Sequence, residues 1–331
     1  MAAKPSLKSV WTQFFPPKPR FTEKNIPDDL TGKVSVVTGA SSGMGKELSR
    51  VLYARNAKVY VACRSEPKAN QAIAEIKKAA PQSKGELIFL ELDLADLTKV
   101  KSCAEAFLAR ESKLHVLFNN AGVMVGPARP IPRTVQGYEL ALGVNCVGTF
   151  LLTKLLTPTL VATAKAEPPN TVRIVWPSSF GLLQFAPPER GVDMDNLDFH
   201  KPEDAITRYG ISKCGVWLLA VECARRYKAD GIVSVPMNPG NVQTSLARDQ
   251  TIGLKLIAHT VVHKVMYGVY TQLYAGFFAR HYHREGRLDP RLEFAPLRAD
   301  LPKATKPEDE GGNGNAVKFW EWNEEQVKDY V

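Results

Sequence analysis

The sequence predicts an α/β protein built on a doubly wound parallel sheet in three α/β/α layers, a single domain with a C-terminal extension. Three observations predict it. Short β-branched runs alternate with helix-like segments through most of the 331 residues, the order that yields a parallel sheet with helices on both faces. The first run, Val34 to Thr38, opens into Gly39-Ala-Ser41-Ser42-Gly43-Met44-Gly45 and then a helix. Small and polar residues recur where the later runs end, and ligands bind beyond the carboxyl ends of strands in such a sheet.

Composition sets wide bounds. A hydrophobic fraction of 44% and a charged fraction of 23% are ordinary for a globular chain that buries a sizeable core. The formal net charge is +9. It is spread thinly, with no dense Lys/Arg block, which argues against a nucleic-acid partner. The five cysteines, Cys63, Cys103, Cys146, Cys214 and Cys223, form no CxxC pair and read as buried free thiols of a reducing compartment, hence a cytoplasmic protein. His259/His263 and His281/His283 have no acidic or thiol partner at ligand spacing, so no metal site is expected. No secretory signal is visible. Lys255, His259, His263 and Lys264 interrupt the apolar stretch 251–279, which argues against a membrane span there.

Residues 1–30 read as an arm. Pro16-Pro17-Lys18-Pro19 favours extended chain. The arm either packs on the domain surface or makes a peripheral membrane contact through Trp11, Phe14, Phe15 and nearby lysines. Residues 31–300 form the dinucleotide-binding domain. Its first strand, 34–38, a glycine-rich turn and a helix to about Ala54 make a phosphate cradle of the Rossmann type. The glycines let the backbone approach a pyrophosphate, and free N–H groups and the helix dipole favour its charge. The spacing is Thr-Gly-x-x-x-Gly-x-Gly rather than the commoner G-x-G-x-x-G.

A second strand, 58–63, ends at Arg64. An acidic residue there would bond a free ribose 2′-hydroxyl, whereas an arginine pairs with a 2′-phosphate. With Arg64 at that end and Glu66 two residues on, NADP(H) is preferred over NAD(H); a solvated surface arginine is the plain alternative. Helices are expected over 67–80 and 98–110, and strands over 86–92 and 114–118. The first of these strands leads to Asp93, whose carboxylate would accept from the adenine amino group. The second leads to Asn119-Asn120-Ala121-Gly122, small and amide residues that suit a backbone beside the cofactor.

A helix over 138–156 carries Asn145, which needs a partner if buried. The fifth strand, 172–176, ends at Pro177-Ser178-Ser179, and a long loop runs to about Asp204, as active-site loops often do. The helix over 205–229 places Tyr209 and Lys213 four residues apart on one face. A lysine beside a tyrosine favours the phenolate, and a phenol so tuned can exchange a proton with an alcohol or carbonyl. A sixth strand, 232–235, precedes Asn238-Pro239-Gly240-Asn241-Val242-Gln243-Thr244. The stretch 251–279 reads as a substrate lid followed by a packing helix, with a last short strand near 292–294. Residues 301–331 are a polar, glycine-rich, mobile linker (302–315) and a terminal helix docked by Phe319, Trp320 and Trp322.

Over about residues 30–300 the chain resembles the short-chain dehydrogenase/reductase family. The matching motifs are Thr38-Gly-Ala-Ser-Ser-Gly-Met-Gly45, Asn119-Asn-Ala-Gly122, Asn145, Ser178-Ser179, Tyr209-x-x-x-Lys213 and Pro239-Gly240. Within it, Ala62-Cys63-Arg64, Val144-Asn145-x-x-Gly148-x-Phe150-Leu-Leu-Thr153 and Tyr270-Thr-Gln-Leu-Tyr-Ala-Gly276 are similar to the branch of retinol-dehydrogenase-like and fungal secondary-metabolite reductases. The resemblance implies hydride transfer between nicotinamide and a carbonyl or alcohol carbon of a small lipophilic substrate, with Tyr209 as proton donor or acceptor. Lys213 would lower the tyrosine pKa and hold the nicotinamide ribose, Ser179 would bond the substrate oxygen, and Asn145 would hold a water linking Lys213 to solvent. Gly39, Ser41, Ser42, Gly43, Met44, Gly45, Asp93, Asn120, Val242 and Thr244 would line the cofactor. Members often pair through the helices at 138–156 and 205–229, so a homodimer is implied unless the tail blocks it. Pro177 and the tail depart from the pattern without removing a catalytic group. The other reading is a catalytically silent dinucleotide-binding protein of the same fold.

Overall fold

The computed structural model describes residues 4, 6–128, 130–243, 263–278 and 298–331. Six strands, β1 (Val34–Thr38), β2 (Lys58–Cys63), β3 (Glu86–Glu91), β4 (Val116–Phe118), β5 (Arg173–Pro177) and β6 (Val233–Met237), form one sheet in the order β3-β2-β1-β4-β5-β6. Every pairing is parallel. β1 lies between β2 and β4, so the connections run outward in opposite directions from it. That switch opens a crevice beyond the carboxyl ends of β1 and β4.

The strand residues explain why both faces are covered. Alternate side chains point to opposite faces, and both sets are apolar. Val36, Tyr60, Leu117, Ile174 and Trp176 enter one core cluster. Val37, Val59, Val61, Phe118, Val175 and Val235 enter the other. Each such side chain, fully buried, contributes about 1.5–3 kcal/mol. The described helices are α1 (Leu7–Phe14), α2 (Gly43–Ala54), α3 (Glu66–Ala79), α4 (Leu97–Leu108), α5 (Leu140–Ala166), α6 (Gly181–Phe185), α7 (Ala205–Tyr227), α8 (Val265–Phe277), α9 (Pro302–Thr305) and α10 (Asn315–Val327). Residues of α4, α5, α7 and α10 pack into the first cluster, and residues of α2, α3 and α8 into the second. α5 is long and apolar enough to cross a membrane, but 83% of its most apolar window is buried in the protein, as befits a core helix.

The arm also holds a helix that the sequence reading did not name: α1 precedes the prolines, capped by the Ser6 side chain, which accepts from Ser9 N. Three expectations are corrected. The long loop after β5 contains α6, which packs on α7 so tightly that a Cβ on Gly210 would lie 2.6 Å from Phe185 Cβ. The segment 302–315 is no free linker. It forms α9, a short turn of 3₁₀ helix over Glu308–Glu310 and hydrogen bonds from Asn313 Nδ2 to Glu189 O (2.6 Å) and from Asn315 Nδ2 to Val192 O (2.7 Å). Pro177 stays within β5, in register with Met237 of β6. The expected strand at 292–294 and the expected lid up to residue 262 lie outside the described residues.

The terminal helix docks by its aromatics, as expected. Trp320 meets Phe150 of α5 edge-on at 4.8 Å between ring centroids, and Arg226 of α7 lies 5.1 Å from the Trp320 ring. Phe319 is fully buried against Gly215 of α7, where a Cβ would lie 2.9 Å from the ring. α10 therefore packs on the two helices, α5 and α7, through which a second copy was expected to pair. All five cysteines are buried and free.

Candidate active site

The glycine turn and the carboxyl ends of β1 and β4 form one side of the crevice. Gly39 and Gly43 adopt φ of +67° and +55°, a region glycine enters without strain. At Gly45 a Cβ would lie 2.6 Å from Asn120 Nδ2 and 2.6 Å from Gly39 O, so no larger residue fits. Ser42 is the N-cap of α2, yet its side chain makes no capping bond, and the first turn carries no acidic residue. The leading N–H groups of α2 are left for an anion. Ser41 and Met44 are half-buried, and Met44 lies beside α8.

Asn120 is held at both ends of its amide. Nδ2 donates to Thr38 O at 2.8 Å, and Oδ1 accepts from Gln272 Nε2 of α8 at 2.8 Å. Thr38 Oγ1 accepts from Ala121 N at 2.8 Å, tying the Asn-Asn-Ala-Gly segment to β1. Asn119 Nδ2 donates to Thr153 Oγ1 at 3.0 Å. Asn119 Oδ1 and Gln272 Oε1 are buried without a hydrogen-bond partner among the described residues. Such orphaned oxygens at a crevice suit a polar ligand. Asp93 accepts from Ala95 N at 3.0 Å, and Arg64 is exposed just past β2. Val242 bridges His263 as an isolated parallel pair. Thr244 lies outside the described residues.

The other side of the crevice is the start of α7, whose N-cap Asp204 accepts from Thr207 N. Tyr209 and Lys213 lie one turn apart and are both buried, with Lys213 Nζ 6.0 Å from the centre of the Tyr209 ring. Lys213 Nζ donates to Pro177 O at 2.8 Å. Of the two serines, Ser178 is committed: its Oγ donates to Lys213 O at 2.7 Å. Ser179 Oγ accepts from Gly181 N at 3.1 Å and lies beside the Tyr209 ring: a Cβ on Gly181 would be 3.5 Å from Ser179 Oγ and 3.8 Å from Tyr209 Cε1.

Asn145 sits in a π-helical turn, Gly143–Gly148, within α5, the kind of bulge that often marks a functional position. Its side chain clamps Val123: Oδ1 accepts from Val123 N at 2.9 Å and Nδ2 donates to Val123 O at 3.1 Å. Nδ2 also donates to Ser212 Oγ at 2.9 Å, which ties α5 to α7 beside Tyr209. A Cβ on Gly122 would lie 3.2 Å from both Asn145 Oδ1 and Lys213 Nζ. The glycine is what lets the two groups converge.

One expectation is reversed. Spacing alone placed a cation beside Tyr209 and implied a lowered pKa. Burial instead pushes the Tyr209 phenol up to about 12, with the Ser179 side chain pulling the other way. Burial also takes the Lys213 ammonium down to about 8, opposed by the Cys146 thiol. In this arrangement the dry surroundings outweigh the mutual effect of the pair.

The matches to known proteins agree with this geometry. The short chain dehydrogenase family model matches residues 33–174. A short-chain dehydrogenase/reductase of Phomopsis amygdali is 51% identical over 333 aligned residues, covering 98% of each chain. The chain belongs to the short-chain dehydrogenase/reductase family. The short-chain dehydrogenase/reductase bet4 of Neocamarosporium betae is 48% identical, over 98% of this chain and 94% of that one. Among solved structures, an uncharacterised protein from Mycobacterium paratuberculosis superposes with a TM-score of 0.65 at 26% identity, covering 93% of this chain and 97% of that one. The Pseudomonas aeruginosa RhlG/NADP complex shares the fold, with a TM-score of 0.57 at 22% identity, over 75% and 91% of the two chains.

For this short-chain dehydrogenase/reductase, the sequence reading gave no role to three side chains that hold its candidate residues in place. Gln272 orients Asn120, Ser212 relays Asn145 to α7, and Thr38 pins Ala121. Gln272 lies in the Tyr270–Gly276 stretch that carried part of the family likeness, a signal that could have found it. Ser212 stands beside Lys213 without a pattern of its own.

Proposed function

We propose that this chain is an NADP(H)-dependent oxidoreductase that interconverts a lipophilic ketone or aldehyde and its alcohol, with a place in secondary-metabolite biosynthesis. The observation that carries the reading is that Ser179 Oγ and the Tyr209 ring converge on Gly181, where a Cβ would lie 3.5 Å from the one and 3.8 Å from the other, one helical turn from Lys213 and at the edge of the crevice that the glycine turn opens. A dinucleotide-binding module without turnover has no need of that set. When bound, a reduced nicotinamide supplies a hydride to the carbonyl carbon. The phenolic proton of Tyr209 passes to the carbonyl oxygen, which Ser179 holds by a hydrogen bond, and the two transfers leave an alcohol and a tyrosinate. A phenol that begins high, at about 12, is a firm proton holder until substrate and cofactor complete the site. The named relatives are fungal, which supports the biosynthetic placement. The chain is taken as its own working unit, because α10 packs on the two helices a partner copy would use. Incubating the protein with NADPH and a broad extract of lipophilic carbonyl compounds tests the reading directly. Carbonyl-dependent loss of NADPH is expected; its absence across the extract would favour the silent binding protein.

Cofactor choice rests on Arg64, exposed at the end of β2. Its charge-assisted bonds to a 2′-phosphate are worth enough that Arg64→Ala is expected to weaken NADPH binding about 10- to 100-fold. NADH affinity should hardly move. Fluorescence titration of both cofactors decides it, and equal losses for the two would remove the 2′-phosphate assignment.

Lys213 gives a pH dependence. Its ammonium is present below about pH 8 and lost above it. If it holds the nicotinamide ribose as a cation, NADPH affinity is level below that pH and declines above it. The free enzyme's titration governs this binding step. The same titration on Lys213→Met should be weaker and flat across the range. A wild-type curve with no inflection near pH 8 would exclude a charged Lys213 from cofactor binding.

A further inference from the structure

Helix α1 faces the wrong way for a helix that serves only to cover the domain. A surface helix normally turns its apolar stripe to the core and its polar side to water. Here Ser9 and Gln13 are buried, at 1% and 5% exposure, whereas Leu7 and Trp11 are 89% and 66% exposed and Phe15, just past the helix, 57%. These three are half of the six large exposed hydrophobics among the described residues. They fall at i, i+4 and i+8 and so form one stripe, with the Trp11 and Phe15 rings 4.5 Å apart. Lys4 and Lys8 are exposed beside the stripe in sequence, and Lys18 and Arg20, also exposed, follow. No Asp or Glu occurs before Glu23.

The inner side of α1 is fastened by polar bonds. Gln13 Nε2 donates to Asn241 Oδ1 at 2.6 Å, and Gln13 Oε1 accepts from Asn238 Nδ2 at 2.8 Å. Phe14 O bonds His263 Nε2 at 3.0 Å. Asn238 and Asn241 lie in the segment just past β6, so the helix is anchored at the carboxyl edge of the sheet, the edge that holds Tyr209 and Ser179.

We propose that α1 is a docking surface for an anionic lipid bilayer, with Leu7, Trp11 and Phe15 entering the interface and Lys4, Lys8, Lys18 and Arg20 meeting lipid phosphates and carboxylates. An apolar stripe flanked by cations and free of acidic residues is the chemistry of an interfacial helix. Phe14, which the sequence suggested for this contact, is half-buried, and Leu7 takes its place. The anchoring bonds turn the carboxyl edge of the sheet toward the membrane, where a lipophilic substrate would partition. That advantage rests on the function proposed above, whereas the binding itself does not.

The test is co-sedimentation of the full chain with vesicles of phosphatidylcholine alone and of phosphatidylcholine with phosphatidylserine. Binding is expected to the anionic vesicles and to be largely lost near 1 M salt, where the Debye length is about 3 Å. The combined variant Leu7→Ser, Trp11→Ser, Phe15→Ser should lower the partition coefficient by about tenfold or more. Lys4→Gln and Lys8→Gln should each cost about fivefold while leaving the apolar stripe and the fold untouched. Failure of the wild type to sediment with anionic vesicles at low salt overturns the proposal, as does binding that survives the triple replacement. Concentration-dependent self-association in light scattering, abolished by the same replacement and without vesicle binding, would assign the stripe to a second copy instead. None of these readouts uses turnover, so they stand apart from the success or failure of the proposed reaction.

Discussion

Replacing Tyr209 by phenylalanine is expected to lower turnover by about 10²- to 10⁴-fold, the contribution of a positioned general acid. The ring stays, so the buried packing of Tyr209 is preserved. Only the phenolic oxygen is removed. NADPH affinity should remain within a few-fold of the wild type. The measurement is kcat with the best carbonyl substrate from the extract screen, beside a cofactor titration by fluorescence. Full turnover in Tyr209→Phe would mean that the proton comes from elsewhere, and the assigned chemistry would be wrong. Ser179→Ala should fall in the same direction, whereas Ser178→Ala should act through the helix position, because among the described residues Ser178 Oγ bonds only the Lys213 carbonyl.

The second large effect concerns stability. Arg208, the residue before Tyr209, is a buried cation whose Nε donates to Glu139 Oε1 at 3.2 Å. Glu139 is itself 1% exposed, and its other oxygen accepts from Leu142 N at 2.8 Å at the start of α5. Glu139→Ala leaves the guanidinium buried without its counter-charge and strips the start of α5 of its cap. The expected loss is about 3–5 kcal/mol. Urea unfolding should show a lower midpoint at an unchanged slope. Exchanging both partners for apolar residues, Glu139→Leu with Arg208→Met, should recover much of the loss, since a buried pair is worth little against well-packed hydrophobes. A single-variant cost under about 1 kcal/mol would show that water reaches Arg208 when Glu139 is gone.

Much of the architecture was legible because β-branched runs and a glycine turn are local signals. The ends of strands were less so. β6 was expected over 232–235. It continues to Met237. Pro236 is tolerated because β6 is the outermost described strand, paired on one side only. α1 was unreadable for a different reason. Eight residues hold a helix poorly alone, and the bonds that fix this one come from Asn238, Asn241 and His263, more than 200 residues away. The tail 302–315 has the composition of a linker, and its order comes from Asn313 and Asn315 bonding the backbone of 189–192.

The Tyr209 and Lys213 pair shows the same division. A four-residue spacing on a helix states where Tyr209 and Lys213 point, and the structure places them together. Spacing contains nothing about solvent. The direction of the tyrosine shift is set by how deeply α7 is buried, which depends on Phe185 against Gly210 and Phe319 against Gly215. Those contacts join parts of the chain that no window of sequence contains.

Helix α10 has a consequence for how the protein behaves at low abundance. Where the cover over a catalytic helix is lent by a neighbouring molecule, it leaves as the protein is diluted, and stability follows protomer concentration. Here Phe319 and Trp320 reach α7 and α5 on the same polypeptide, so that cover is present at a fixed effective concentration. This part of the support for Tyr209 and Lys213 is indifferent to dilution, and a few molecules in a cell keep it as fully as a concentrated solution does.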